Sequence, residues 1–140
     1  MAERILLVDD DLNILQANQA ALERAGYEVV PATCVREALR KPDLPGFSLV
    51  ISDVMMEERD AGFILCHRLK SSPATEHVPV MLLSSAYEEM GIRFSLQDRQ
   101  ARRWIKADAL LNKPITPEAL VQKVRDLLAR RQAQPDSALA

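Results

Sequence analysis

A chain of 140 residues, 48% hydrophobic and 27% charged, is expected to fold as one globular domain that buries its core without disulfide or metal staples. A formal net charge of −2 gives no overall attraction to nucleic acid or an anionic membrane, and no apolar run approaches the roughly 20 residues that cross a bilayer. The opening MAERILLV lacks the architecture of a signal peptide, so the expected setting is the cytoplasm, with Cys34 and Cys66 as buried thiols. His67 and His77 stand at no metal-ligand spacing and are expected on the surface.

In chain order, Ile5 to Val8 is a continuous apolar run, the pattern of a strand buried on both faces. Three acids, Asp9, Asp10 and Asp11, follow without a spacer. Leu12, Leu15, Leu22 and Ala25 then recur at helical spacing, and Gly26 stands where a helix-ending glycine belongs. Tyr27 to Ala32 reads as a strand, and Cys34 to Lys41 as a short helix stopped by Pro42. Phe47 to Ser52 is a buried strand running into Asp53. Gly62 to Lys70 is helical, SSPATEHVP is loop, and Val80 to Ser84 is another buried strand. Ala109 to Leu111 is a brief apolar run ending at Asn112, Lys113 and Pro114. Thr116 can cap a final helix with Pro117 at its first position and an apolar stripe from Leu120 to Leu128. The domain is expected to span residues 1–131, with 132–140 a disordered tail.

Strands and helices alternate throughout, which predicts an α/β fold with a five-stranded parallel sheet covered on both faces. Such sheets place their sites at the carboxyl ends of the strands, beside a topological switch point. Those ends carry Asp9-Asp10-Asp11, Asp53, Ser84-Ser85 and Lys113. Carboxylates crowded together repel one another, and a hard divalent cation such as Mg²⁺ relieves that repulsion through oxygen ligands. Asp53 has the chemistry of a nucleophile toward phosphorus, Lys113 offers charge to a phosphate oxygen, and Ser85 offers a hydroxyl. The set describes phosphoryl transfer.

Through LLVDDD, VISDVMM, LLSSA and LLNKPIT, the chain resembles a response-regulator receiver domain of two-component signalling from about Arg4 to Arg130. The resemblance implies a doubly wound (βα)5, flavodoxin-like fold in which Asp53 takes a phosphoryl group from a histidine kinase or phosphotransfer protein. It implies Mg²⁺ held by Asp10 directly, by Asp9 through water, by Asp53 and by the backbone carbonyl of Met55. Lys113 would contact the phosphoryl group, its bond to Pro114 would be cis, and Ser85 would be the switch hydroxyl. Such a domain catalyses only its own phosphorylation and dephosphorylation, and signals to an output partner protein without binding nucleic acid directly. A monomer or weak dimer is expected.

Several positions depart from the family pattern. Glu57 replaces a proline after Asp53, and one extra residue precedes Gly62. Leu110 stands where a tyrosine or phenylalanine is usual. The segment after Ser85 is long and lacks a single helical period, which predicts an irregular or displaced fourth helix within 86–108. Met55 and Tyr87 flank the path of an attacking water and predict slow self-dephosphorylation, since neither is a good base at neutral pH. Two rival readings stand beside this one. A phosphatase of the haloacid-dehalogenase type also begins with an apolar run and Asp-x-Asp, but needs a further acidic pair after Lys113. A receiver-like interaction scaffold would keep the fold without phosphorylation. The final helix running into QAQPDSALA fits a single-domain receiver, with a piece of a longer regulator or hybrid kinase as the alternative.

Overall fold

The computed structural model describes residues 3–56, 61–84 and 107–133. Glu57, Ser85, Tyr87, the irregular fourth helix and the tail beyond 133 fall outside these residues. The described elements are β1 (Arg4–Val8), α1 (Leu12–Arg24), β2 (Glu28–Ala32), α2 (Val35–Leu39), a 3-10 turn (Leu44–Gly46), β3 (Leu49–Asp53), α3 (Ala61–Lys70), β4 (Val80–Ser84), β5 (Ala109–Asn112) and α4 (Pro117–Ala133). The five strands form one parallel sheet in the order β2-β1-β3-β4-β5. This is the doubly wound α/β fold that the alternation of elements predicts.

Period-two alternation along the central strands divides the core. Ile5, Leu7, Leu49, Ile51, Met81 and Leu83 face one side, where they pack with Leu15 and Leu22 of α1 and Leu120, Val124 and Leu127 of α4. Leu6, Val8, Val50 and Leu82 face the other side with Phe63, Leu65 and Leu69 of α3. Truncating one of these leucines to alanine would cost about 2–5 kcal/mol.

Local chemistry sets the helix ends. Asp11 accepts from the backbone of Asn13 at 3.0 Å and Ile14 at 3.2 Å, which starts α1. Gly26 ends it with a φ of 102°, a conformation that a side chain would strain. Thr116 Oγ1 accepts from Ala119 N at 3.1 Å and starts α4, with Pro117 at its first position.

Four readings of the sequence need correction. Leu12 is 58% exposed, because the turn made by the acids puts it at the helix mouth, away from the sheet. Strands β2 and β5 are only partly buried, since each forms an edge of the sheet and has a neighbour on one side alone. Cys66 is buried, but Cys34 is half-buried and caps α2, its sulfur accepting from Glu37 N at 3.5 Å. Helix α4 runs through Ala133, two residues past the boundary read at 131, because arginine, glutamine and alanine propagate a helix without an apolar stripe. Among the described residues, no helix is long and apolar enough to cross a membrane.

Candidate functional site

Strand order reverses between β1 and β3, and the carboxyl ends of both strands carry acids. The three consecutive aspartates at the end of β1 have three different environments. Asp9 extends the ladder, its N–H donating to Ala32 O at 3.0 Å, and only 2% of it is exposed. Its Oδ1 accepts from Asp11 N at 2.9 Å, which turns the chain out of the sheet. Asp10 is exposed, and Asp11 is spent on capping α1.

Asp53 ends β3 and is 6% exposed. Its Oδ2 accepts from Lys113 Nζ at 3.0 Å. Its Oδ1 is buried and has no hydrogen bond of full geometry among the described residues, although the Met55 N–H faces the carboxylate and favours its charged form. Ligand oxygens of Asp9, Asp10 and Asp53 can lie within 4.8 Å of one another. A buried, unsatisfied carboxylate oxygen beside two further acids is costly unless a cation meets it. Such an all-oxygen set suits Mg²⁺.

Burial is the largest influence on both buried acids and pushes each carboxyl above the ordinary range. For Asp9 the Asp11 amide opposes this, while the nearby Asp53 charge reinforces it. For Asp53 the Lys113 ammonium opposes it through its charge and its hydrogen bond, and the Met55 amide adds to that opposition. Lys113 therefore offsets only part of the electrostatic cost.

Backbone contacts hold the loop after β3 in place. Val54 N donates to Leu83 O at 2.8 Å, and Gly62 N donates to Val54 O at 2.8 Å. A Cβ on Gly62 would overlap the Asp53 carbonyl oxygen and lie 2.6 Å from Val54 Cα. Only glycine allows α3 to seat against the strand end that presents Asp53. The sequence hints at this through a glycine in the first turn of a helix, where alanine would otherwise be favoured; read from sequence, Gly62 is merely a helix start.

Asp9, Asp10, Asp53 and Lys113, separated by up to 104 positions (113 − 9), are thus brought together at one edge. Met55 lies two residues beyond Asp53, half-buried against the α3-side core. The Lys113–Pro114 bond is cis. Leu110 packs on the α3 side of the sheet. Ser85 follows the described end of β4, where buried Ser84 O accepts from Lys113 N at 2.8 Å.

The family model for the response regulator receiver domain matches residues 5–125. The chain belongs to that family. Curated proteins similar to this receiver domain include the alkaline phosphatase synthesis transcriptional regulatory protein PhoP of Bacillus subtilis, 31% identical over 98% of this chain and 53% of its own length. Response regulator Rre1 of Synechocystis is 37% identical over 98% of this chain and 57% of its own. The receiver domain therefore spans about half the length of the curated relatives it matches. Among solved structures, the chemotaxis response regulator CheY4 of Vibrio cholerae shares 29% identity with a TM-score of 0.75, covering 91% of this chain and 99% of that one. The signal receiver domain of a histidine kinase from Syntrophus aciditrophicus shares 33% identity with a TM-score of 0.73, covering 91% of each. Receiver domains are not independent enzymes, and membership sets aside the phosphatase reading.

Proposed function

We propose that Asp53 is the phosphoacceptor of this receiver domain and takes its phosphoryl group from a histidine kinase or phosphotransfer protein in a Mg²⁺-dependent step. The observation that carries the reading is the Asp53 carboxylate, buried, with one oxygen on Lys113 and the other unsatisfied beside Asp9 and Asp10. Asp10 would hold the metal directly and Asp9 through water, with Asp53 and the Met55 carbonyl completing the protein's share. Bound Mg²⁺ supplies the positive charge that offsets the acids and the phosphoryl oxygens.

An Asp53 oxygen forms the new bond to phosphorus as the phosphorus–nitrogen bond of the donor histidine breaks, and the departing imidazole nitrogen keeps the electron pair. Lys113 neutralises charge on the phosphoryl oxygens, as it does on the unmodified carboxylate. Ser85 would donate its hydroxyl to the phosphoryl group and so pass the change to the surface that meets the output partner.

The donor protein has a natural approach. An apolar groove lined by Ile14, Ala17, Pro114 and Ile115 adjoins Lys113, and exposed Leu12 stands at the edge of the acid site. An apolar helix of the donor seated there would bring a phosphohistidine to Asp53.

Beryllium trifluoride, a stable phosphoryl mimic, tests the reading through the ¹⁹F resonances of its bound form. Bound resonances are expected with Mg²⁺ and the wild-type chain, and none with Asp53→Asn. Failure of the wild type to bind would favour the scaffold reading.

A further inference from the structure

Strand β5 has a weakly specified register. It is four residues long, forms the sheet edge, pairs with β4 alone and is only partly buried. Its apolar positions fix the alignment only in part. Ala109 and Leu111 face the α1 and α4 side, whereas Ala107 and Leu110 face the α3 side. A slip of one residue would bring Asn112 to the place of Leu111 in one direction and Asp108 to the place of Ala109 in the other, so patterning opposes a slip chiefly through one polar residue at a partly buried edge position. The consequence at the site would be large. Lys113 follows β5 directly, and a slip would displace it by about 3.3 Å and turn its side chain to the other face.

A charged network stands at the opposite end of the strand. Asp108 N donates to Val80 O at 2.8 Å, and Val80 N donates to Asp108 Oδ2 at 2.8 Å, so one residue pair is joined in both directions. The same Oδ2 accepts from Lys70 Nζ at 2.9 Å. Lys70 Nζ also donates to Val78 O at 2.9 Å and to Glu76 O at 3.4 Å. An ammonium has three donors, and all three are used here. The Lys70 side chain is 12% exposed and that of Asp108 is 28%, unlike a solvated surface pair whose members drift apart. The network joins the end of α3, the loop before β4, the first residue of β4 and the residue before β5.

We propose that the Lys70–Asp108 pair is the register lock of β5 and, through that strand, a positioning device for Lys113. A slipped β5 would carry Asp108 away from Val80 N and strand the Lys70 ammonium without its carboxylate. The hydrogen bonds that Asp108 accepts from Val80 N and Lys70 thus add to the discrimination that the apolar positions give only in part. Neither residue touches the acid site, so both act only through the strand. The phosphorylation arm of the test below rests on the function proposed above; the exchange arm does not.

Three variants, Asp108→Ala, Asp108→Asn and Lys70→Met, are compared at a temperature where circular dichroism shows each fully folded. Backbone amide exchange is read at Lys113 N–H, remote from the substitutions, and the Mg²⁺-dependent rate of phosphorylation by acetyl phosphate is read in parallel. Asp108→Ala is expected to reduce protection at Lys113 at least about tenfold and to slow phosphorylation about tenfold. Asp108→Asn keeps an acceptor for Val80 N and should stay within about threefold of wild type in both readouts, although its melting temperature falls. Lys70→Met should lie between them, and it decides the matter if Asp108→Ala does not fold. Wild-type exchange at Lys113 in both Asp108→Ala and Lys70→Met, or in Lys70→Met alone where Asp108→Ala is unfolded, would overturn the lock. Lost protection with no labelling even of the wild type would uphold the lock and overturn the phosphoacceptor reading instead.

Discussion

Asp53 and Asp9 are buried acids whose folded-state carboxyls sit above the unfolded range, an unusual direction for aspartate. The folded chain then holds protons that the unfolded chain releases, so these groups lose stability as pH rises from about 4 through their folded values, and the full penalty is present above those values. In chelator, Asp53→Asn is therefore expected to raise the melting temperature at pH 7 by several degrees, on the order of 1 kcal/mol. The gain should vanish as pH falls below the unfolded carboxylate range. A lower melting temperature for the variant at pH 7 would show that the loss of the Lys113 contact outweighs relief of burial and repulsion. Its neighbours separate cleanly by role. Asp11→Ala should cost about 1 kcal/mol of stability by removing the cap of α1, while leaving Mg²⁺ affinity unchanged in calorimetric titration. Asp10→Asn should weaken Mg²⁺ binding instead. Equal loss of affinity in the two variants would contradict the assignment of Asp10. For the lifetime of the phosphorylated state, Met55→Asn with Tyr87→Glu should speed loss of phosphate about tenfold, roughly 1.4 kcal/mol of barrier, and an unchanged rate would remove both side chains from control of water.

At the scale of elements, the seating of α3 against β3 gives a prediction whose sign runs against helix propensity. Alanine at a helix position is favoured over glycine by about 1 kcal/mol, yet Gly62→Ala should destabilise the fold and slow phosphorylation, because its Cβ would overlap the backbone that presents Asp53. Denaturant unfolding showing equal or greater stability would mean that α3 can move away without cost. The central strands β1, β3 and β4 were legible as continuous apolar runs because burial on both faces confines their polar residues to the strand ends. The caps Gly26 and Thr116 were legible because capping chemistry is local. Edge strands were less so: β2 and β5 look like their neighbours in sequence, and only strand order reveals that they lack a second partner. The exposure of Leu12 was hidden for a related reason, since spacing counts it into the apolar stripe while the acid turn beside it decides its direction. Lys70 and Asp108, 38 positions apart, gave no signal at all, because an ion pair across the sheet has no period to read.

Over the whole molecule, topology converts scattered residues into a site. The order β2-β1-β3-β4-β5 places the ends of β1 and β3 side by side, and β5 returns Lys113 to Asp53 from the far edge. The acid site was legible because each of its residues ends an apolar run, which is a sequence signal that the fold then gathers. The chain spans about half the length of the curated relatives it matches. The central claim, that Asp53 is a Mg²⁺-dependent phosphoacceptor, is tested most directly by the intact mass of the protein after incubation with acetyl phosphate. The wild type with Mg²⁺ should gain the mass of one phosphoryl group, and neither Asp53→Asn nor the wild type in chelator should gain any. An equal gain by Asp53→Asn, or full labelling in chelator, would contradict it.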